Sequence, residues 1–201
     1  MKYEDFVETK KRIIGFDFQD PDECLKAVKK DGNKIAYVEC QTPEICLEAV
    51  KNNPLAILNV ENLTPEICME AIKQNPHLLS VIDQTPEICM AAVKQDGYTI
   101  THVKEQTPEI CMAAVKKDGC AIKFIKNQTE DICIEAVRQD PVALMYVRNQ
   151  TVKICLEAIN GDRDVALLIK PHVIKDCEDA VDKVNQAIMD AIDWRGKDRT
   201  N

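Results

Sequence analysis

Eight of the ten cysteines stand at Cys24, Cys46, Cys68, Cys89, Cys111, Cys133, Cys155 and Cys177, separated by 22 residues at every step but one, which is 21. A thiol can bridge to another thiol, ligate a metal or attack an electrophile, and each of these needs a companion group. Zinc draws on close pairs of cysteines, or on cysteine with histidine. No second cysteine or histidine recurs beside this column, and His77, His102 and His172 follow no regular spacing. A nucleophile needs an activating base or a positive microenvironment, and no mechanism uses eight equivalent ones. Bridged cysteines need Cα atoms within about 7 Å, whereas equivalent positions on neighbouring packed helices lie about 8–10 Å apart. The column therefore reads as small, buried, free thiols. Cys40 and Cys120 fall outside it and are expected to be more exposed. No catalytic residue, metal ligand or cofactor is expected.

The elements that carry the thiols repeat with them. TPEICMAAVK is printed twice, at Thr85–Lys94 and Thr107–Lys116. Units begin at Asp20, Thr42, Thr64, Thr85, Thr107, Thr129 and Thr151. Thr42-Pro43-Glu44 is an N-cap, a proline suited to the first helical position and an acid in the first turn. Lys51, Lys73, Lys94, Lys116 and Arg138 place positive charge at the C-terminal end of this first helix. An Asp or Asn follows, then Gly or Pro in six of seven units, as at Asp31-Gly32 and Asn53-Pro54. Proline there marks the start of a second helix; glycine is also compatible with closing the first.

The apolar pattern predicts two helices per unit of about 8–11 residues, roughly 12–16 Å each. Helices so short are marginal alone, so the array is the cooperative object. A leucine-rich repeat fits Leu55–Leu63 but not Tyr98, Thr101, Val103 and Glu105 in the same slots. A strand in place of the second helix suits Tyr98–Val103, but Pro141–Val147 is built of better helix formers. The fold expected is an all-α solenoid of short helix-turn-helix hairpins. It comprises a degenerate capping repeat over 1–19, in which Phe6, Ile13 and Phe16 match Val28, Ile35 and Val38 one period later, and seven tandem repeats over 20–172. A capping helix follows over 173–194, with Val181, Val184, Ile188 and Ile192 on its apolar side, then a tail over 195–201.

A net charge of −8 with a pI near 5.0 argues against a nucleic-acid footprint or attraction to an anionic membrane. No apolar run has signal-peptide or membrane-spanning length, and the expected location is the reducing cytoplasm.

The recurring TPEIC, AVK and Asx-Gly steps resemble the family catalogued as domain of unknown function 4116, over roughly Asp20–Pro171. The resemblance implies tandem short repeats and no activity. The first unit departs from the motif at Pro21-Asp22-Glu23-Cys24, and the segment after Pro171 lacks it.

Core columns are uniform along the chain, but two columns of the second helix are not: Asn33, Leu55, His77, Tyr98, Cys120, Val142, Asp164, and Tyr37, Asn59, Val81, His102, Phe124, Tyr146, Leu168. Positions four apart share a helical face. A face free to vary suits recognition of a protein or peptide, and Tyr37, Asn59, His77, Tyr98, His102, Phe124 and Tyr146 are the candidate partner-binding residues. The expected function is a non-catalytic binding scaffold, monomeric or weakly self-associating. The alternative is a structural component that joins copies end to end.

Overall fold

The computed structural model describes residues 3–171 with 173, 186 and 189. The capping helix expected over 173–194, the tail after it, Cys177 and His172 lie outside the described residues, apart from single helical positions at 173, 186 and 189. Two compact units divide the chain, Met1–Ala92 and Val93–Asn201. Each is a stack of the same helical pair, and no strand occurs among the described residues.

The first unit holds α1 (Tyr3–Ile14), α2 (Pro21–Lys30), η1 (Gly32–Tyr37), α3 (Pro43–Asn52), η2 (Pro54–Asn59), α4 (Pro65–Gln74) and η3 (Pro76–Ser80). The boundary falls within α5 (Pro86–Gln95). In the second unit are η4 (Gly97–His102), α6 (Pro108–Lys117), η5 (Gly119–Phe124), α7 (Glu130–Gln139), η6 (Pro141–Tyr146), α8 (Val152–Gly161) and η7 (Arg163–Leu168). This is an all-α repeat architecture.

Threonine caps explain where each α-helix starts. Thr42 Oγ1 accepts the Ile45 N–H at 3.3 Å, and Thr64, Thr107, Thr129 and Thr151 act alike. Such a cap contributes about 1 kcal/mol. One Asx residue then serves two helices. Asn53 donates its N–H to Ala49 O, closing α3, while its side chain accepts the Leu55 N–H and opens η2.

The second element corrects the sequence reading. It is a 3₁₀-helix of six residues, or five in η3, not an α-helix of eight or more. The bonds run three residues back, as in Ala56 N–H to Asn53 O and Val60 N–H to Ile57 O. Length supplies the reason. Six residues span about 12 Å as 3₁₀ but only about 9 Å as α, against about 15 Å for a ten-residue α-helix beside it. The tighter helix covers more of its partner with the residues available.

The core is the set of repeated columns. Ile45, Cys46, Ala49, Val50 and Ile57 are all buried, as are Ile110, Cys111, Ala114, Val115 and Ile122. A buried Ile or Val adds roughly 1.5–3 kcal/mol. The short step of 21 residues is absorbed after η3: Val81 turns to φ −119°, ψ 1° and is exposed, while Ile82 takes the buried place of Val60.

At the start of the chain, α1 runs unbroken through Ile13, which is 77% exposed, whereas Ile35 one period later is fully buried. No 3₁₀ segment forms there. Gly15 turns the chain at φ +82°, and Phe16 and Phe18 fill the core instead. The side chain of Phe6 is outside those described.

Candidate functional site

The outward side of the 3₁₀ segments carries every candidate residue. In the first unit Tyr37 is 49% exposed, and Asn59 and His77 are exposed too. Asn59 O accepts a hydrogen bond from Gln41, and the His77 N–H caps on the Asn75 side chain.

The second unit differs. Tyr98 and Phe124 meet edge to face with ring centroids 5.9 Å apart. Lys123 lies 5.5 Å from the Phe124 ring and 5.4 Å from the Tyr146 ring, spanning the next step. Tyr98 is 43% exposed, and Val142, Met145 and Leu167 of the following 3₁₀ segments are between 41% and 49% exposed. Burial raises the Tyr98 hydroxyl above its ordinary pKa, and nearby Cys120 and Asp118 add to this. His102 is half-buried in the same segment.

The reasoning that positions four apart share a face assumed α geometry. In a 3₁₀-helix residues three apart eclipse, so Tyr98 aligns with Thr101, whose hydroxyl bonds to the Tyr98 carbonyl. The aromatic contact is made between repeats, not within one.

The thiol column is buried and unbridged by disulfides at Cys24, Cys46, Cys68, Cys89, Cys111, Cys133 and Cys155, while Cys40 is exposed and Cys120 half-buried. Burial pushes the Cys133 and Cys155 thiols up to about 11. Cys120 reaches about 11 as well, first through burial and then through its hydrogen bond to Asp140 at 3.1 Å. Groups held so far above neutral pH are poor nucleophiles. Among the described residues no group of three or more His, Cys, Asp or Glu is placed to hold a metal ion. No helix described is long and apolar enough to cross a membrane. An open polar depression beside α1 is lined by Glu8, Lys11, Arg12, Phe16, Asp17 and Glu23, and the Lys11–Asp17 ion pair sits in it.

Sequence reasoning missed the residue that joins the repeats. Glutamine precedes the capping threonine at Gln41, Gln84, Gln106, Gln128 and Gln150. Gln128 donates from Nε2 to Ile122 O of its own repeat at 2.9 Å and to Tyr146 O of the next at 3.2 Å, and its Oε1 accepts the Arg148 N–H at 2.9 Å. Gln41, Gln106 and Gln150 make the same three bonds. Leu63 interrupts the series, and the backbone such a glutamine would hold is the altered turn at Val81. The five-fold recurrence before threonine was the available signal.

A second junction explains the Gly-or-Pro alternation. Gly32, Gly97 and Gly119 donate their N–H groups to Asn52, Asp118 and Gln139 of the following repeat. Proline has no N–H to satisfy. At Pro54 the facing residue Gln74 donates instead, to Val50 O, and at Pro141 the facing residue is Gly161.

No curated protein and no solved structure matches the chain significantly. The profile of the family described as Domain of unknown function (DUF4116) matches four times, at residues 43–85, 64–107, 85–129 and 107–151, each match offset by one repeat. Those matches together span more than half of the chain, which therefore belongs to this family of tandem helical repeats.

Proposed function

We propose that the protein is a non-catalytic scaffold that binds a protein or peptide partner through the outward side of its 3₁₀ segments. The observation that carries this is the run Tyr98, Phe124, Lys123 and Tyr146, which lines up aromatic rings across three consecutive repeats, Tyr98 exposed and Phe124 and Tyr146 half-buried. Amphipathic aromatic rings give large contact area at low entropic cost and are enriched where proteins bind. The core of the second unit does not use them, because its described buried hydrophobic residues are all aliphatic or cysteine. His102 flanks the run, and Tyr37, Asn59 and His77 extend the same column positions in the first unit. The raised thiol pKa values of Cys133 and Cys155 support the non-catalytic reading.

Selection of a random peptide library on the immobilised full chain tests the reading. Enriched peptides should bind wild type and lose at least about tenfold in affinity on Tyr98→Ala/Phe124→Ala/Tyr146→Ala, at unchanged thermal stability. Peptides that bind both proteins equally would remove the assignment.

A further inference from the structure

A different surface, the turn after each 3₁₀ segment, carries a charge pattern that the aromatic run does not explain. One residue there has its backbone N–H held by the glutamine of the preceding repeat, as at Glu61, Lys126, Arg148 and Lys170. Read along the chain, this position is Glu39, Glu61 and Asp83 in the first unit, and Lys104, Lys126, Arg148 and Lys170 in the second. The sign reverses where the units divide. All seven side chains reach solvent, six of them exposed and Lys170 half-buried.

The side chains of Lys126, Arg148 and Lys170 lean back on main-chain carbonyls. Arg148 donates to Lys126 O and Ile125 O, and Lys170 to Val147 O and Arg148 O. Carbonyl contacts fix these cations without cancelling their charge. In the first unit Glu39 pairs with Lys10 at 3.5 Å, which leaves the exposed Glu61 and Asp83 to carry the negative charge of the row. Like charges about 8–10 Å apart, one packed helix layer per step, repel within a Debye length. Glu61 with Asp83, and Lys126 with Arg148 and Lys170, each form a line of one sign that an opposite row relieves.

We infer that the basic row of the second unit docks on the acidic row of the first unit of another copy of this chain. Spacing is the reason for choosing a second copy. Both rows ride on the same repeat at the same position, so Lys126 and Arg148 recur at the interval of Glu61 and Asp83 and fall into register with them two at a time. An unrelated acidic chain would have to match that interval by accident. Exposed ion pairs are individually weak, so the association is weak and salt-sensitive.

Sedimentation of the full chain at about 20 mM and about 500 mM salt tests this. Concentration-dependent self-association is expected at low salt and its loss at high salt. Glu61→Lys/Asp83→Lys should remove it, and so should Lys126→Glu/Arg148→Glu, each by about tenfold or more in affinity. Mixing the two variants should restore association, because each then meets an opposite row. Circular dichroism confirms that both variants keep their helices, and the first alters no hydrogen bond described above. A wild type monomeric throughout at low salt overturns the inference. So does self-association unchanged in both variants, a mixture that fails to associate, or a basic row that retains nucleic acid or acidic peptide while the chain stays monomeric.

Discussion

Lys126 donates its backbone N–H to the side-chain oxygen of Gln106, twenty residues earlier, at 2.9 Å. The bond ties a turn in one repeat to the residue that precedes the helix cap in the repeat before. The same amide, through Nε2, also holds Ile100 O and Phe124 O, both at 3.1 Å. One side chain thus satisfies three backbone groups that neither helix of the pair can satisfy itself. This is how an irregular turn stays packed in an array of short helices: its polar groups are answered from next door.

Gln150 is the most enclosed rung, 3% exposed, with bonds to Leu144 O, Leu168 O and the Lys170 N–H. Gln150→Leu keeps volume but orphans those groups. Its expected cost is about 3 kcal/mol, read as a shift in the denaturation midpoint. An unchanged midpoint would mean that water replaces the rung freely.

Gly97 is fixed by its neighbour. A Cβ there would meet Ala114 O at 2.5 Å and Asp118 Oδ2 at 2.7 Å, both belonging to the following repeat. Gly97→Ala is expected to cost roughly 1–3 kcal/mol through overpacking. Gly15→Ala is the contrast. Nothing lies within 4 Å, and the cost comes from φ +82° alone, about 1–2 kcal/mol. A structure of each variant distinguishes the two causes: repeat spacing widens at Gly97 and stays constant at Gly15.

Much of this was legible beforehand, and the remainder was hidden for definite reasons. Thr-Pro-Glu and the Asx residue mark helix ends by local hydrogen bonding, so Thr42 and Asn53 could be assigned from sequence alone. The burial of the cysteine column followed from its apolar neighbours. The 3₁₀ form did not, because it is set by how much length six residues must cover beside α3, a tertiary demand. Gln106 was visible as a recurring letter, but its partners lie 18 and 20 residues onward and need the stacking geometry. Likewise Tyr98 and Phe124 meet across a repeat junction, where periodicity within one helix says nothing.

Thiol labelling separates position from exposure. Cys40 should react with an alkylating reagent first. Cys120 should lag well behind it despite partial exposure, because burial and Asp140 hold its thiol protonated to about 11. Cys46, Cys111 and Cys155 should react only on unfolding. Peptide mass mapping after timed labelling checks the order, and early labelling of Cys155 would refute the buried column.

Alkaline pH should loosen the array. Folded Cys133 and Cys155 hold their protons to about 11, against an ordinary thiol value of 9.0. Between those values the unfolded chain binds fewer protons than the folded one, so stability falls as pH rises. Full stability from these groups is present below about pH 9, and each loses roughly 1–2 kcal/mol by about pH 10.5. Denaturation midpoints across this range should drop, and more shallowly in Cys133→Ala/Cys155→Ala.

Native-state hydrogen exchange tests the glutamine ladder most directly. The N–H groups of Glu61, Lys126, Arg148 and Lys170 lie in non-helical turns, and the first three carry exposed side chains. Held by the glutamines, they should exchange nearly as slowly as the amides inside the neighbouring α-helices, and Gln150→Leu should release Lys170 selectively. Exchange at the rate of unprotected turn residues, in wild type, would contradict the account.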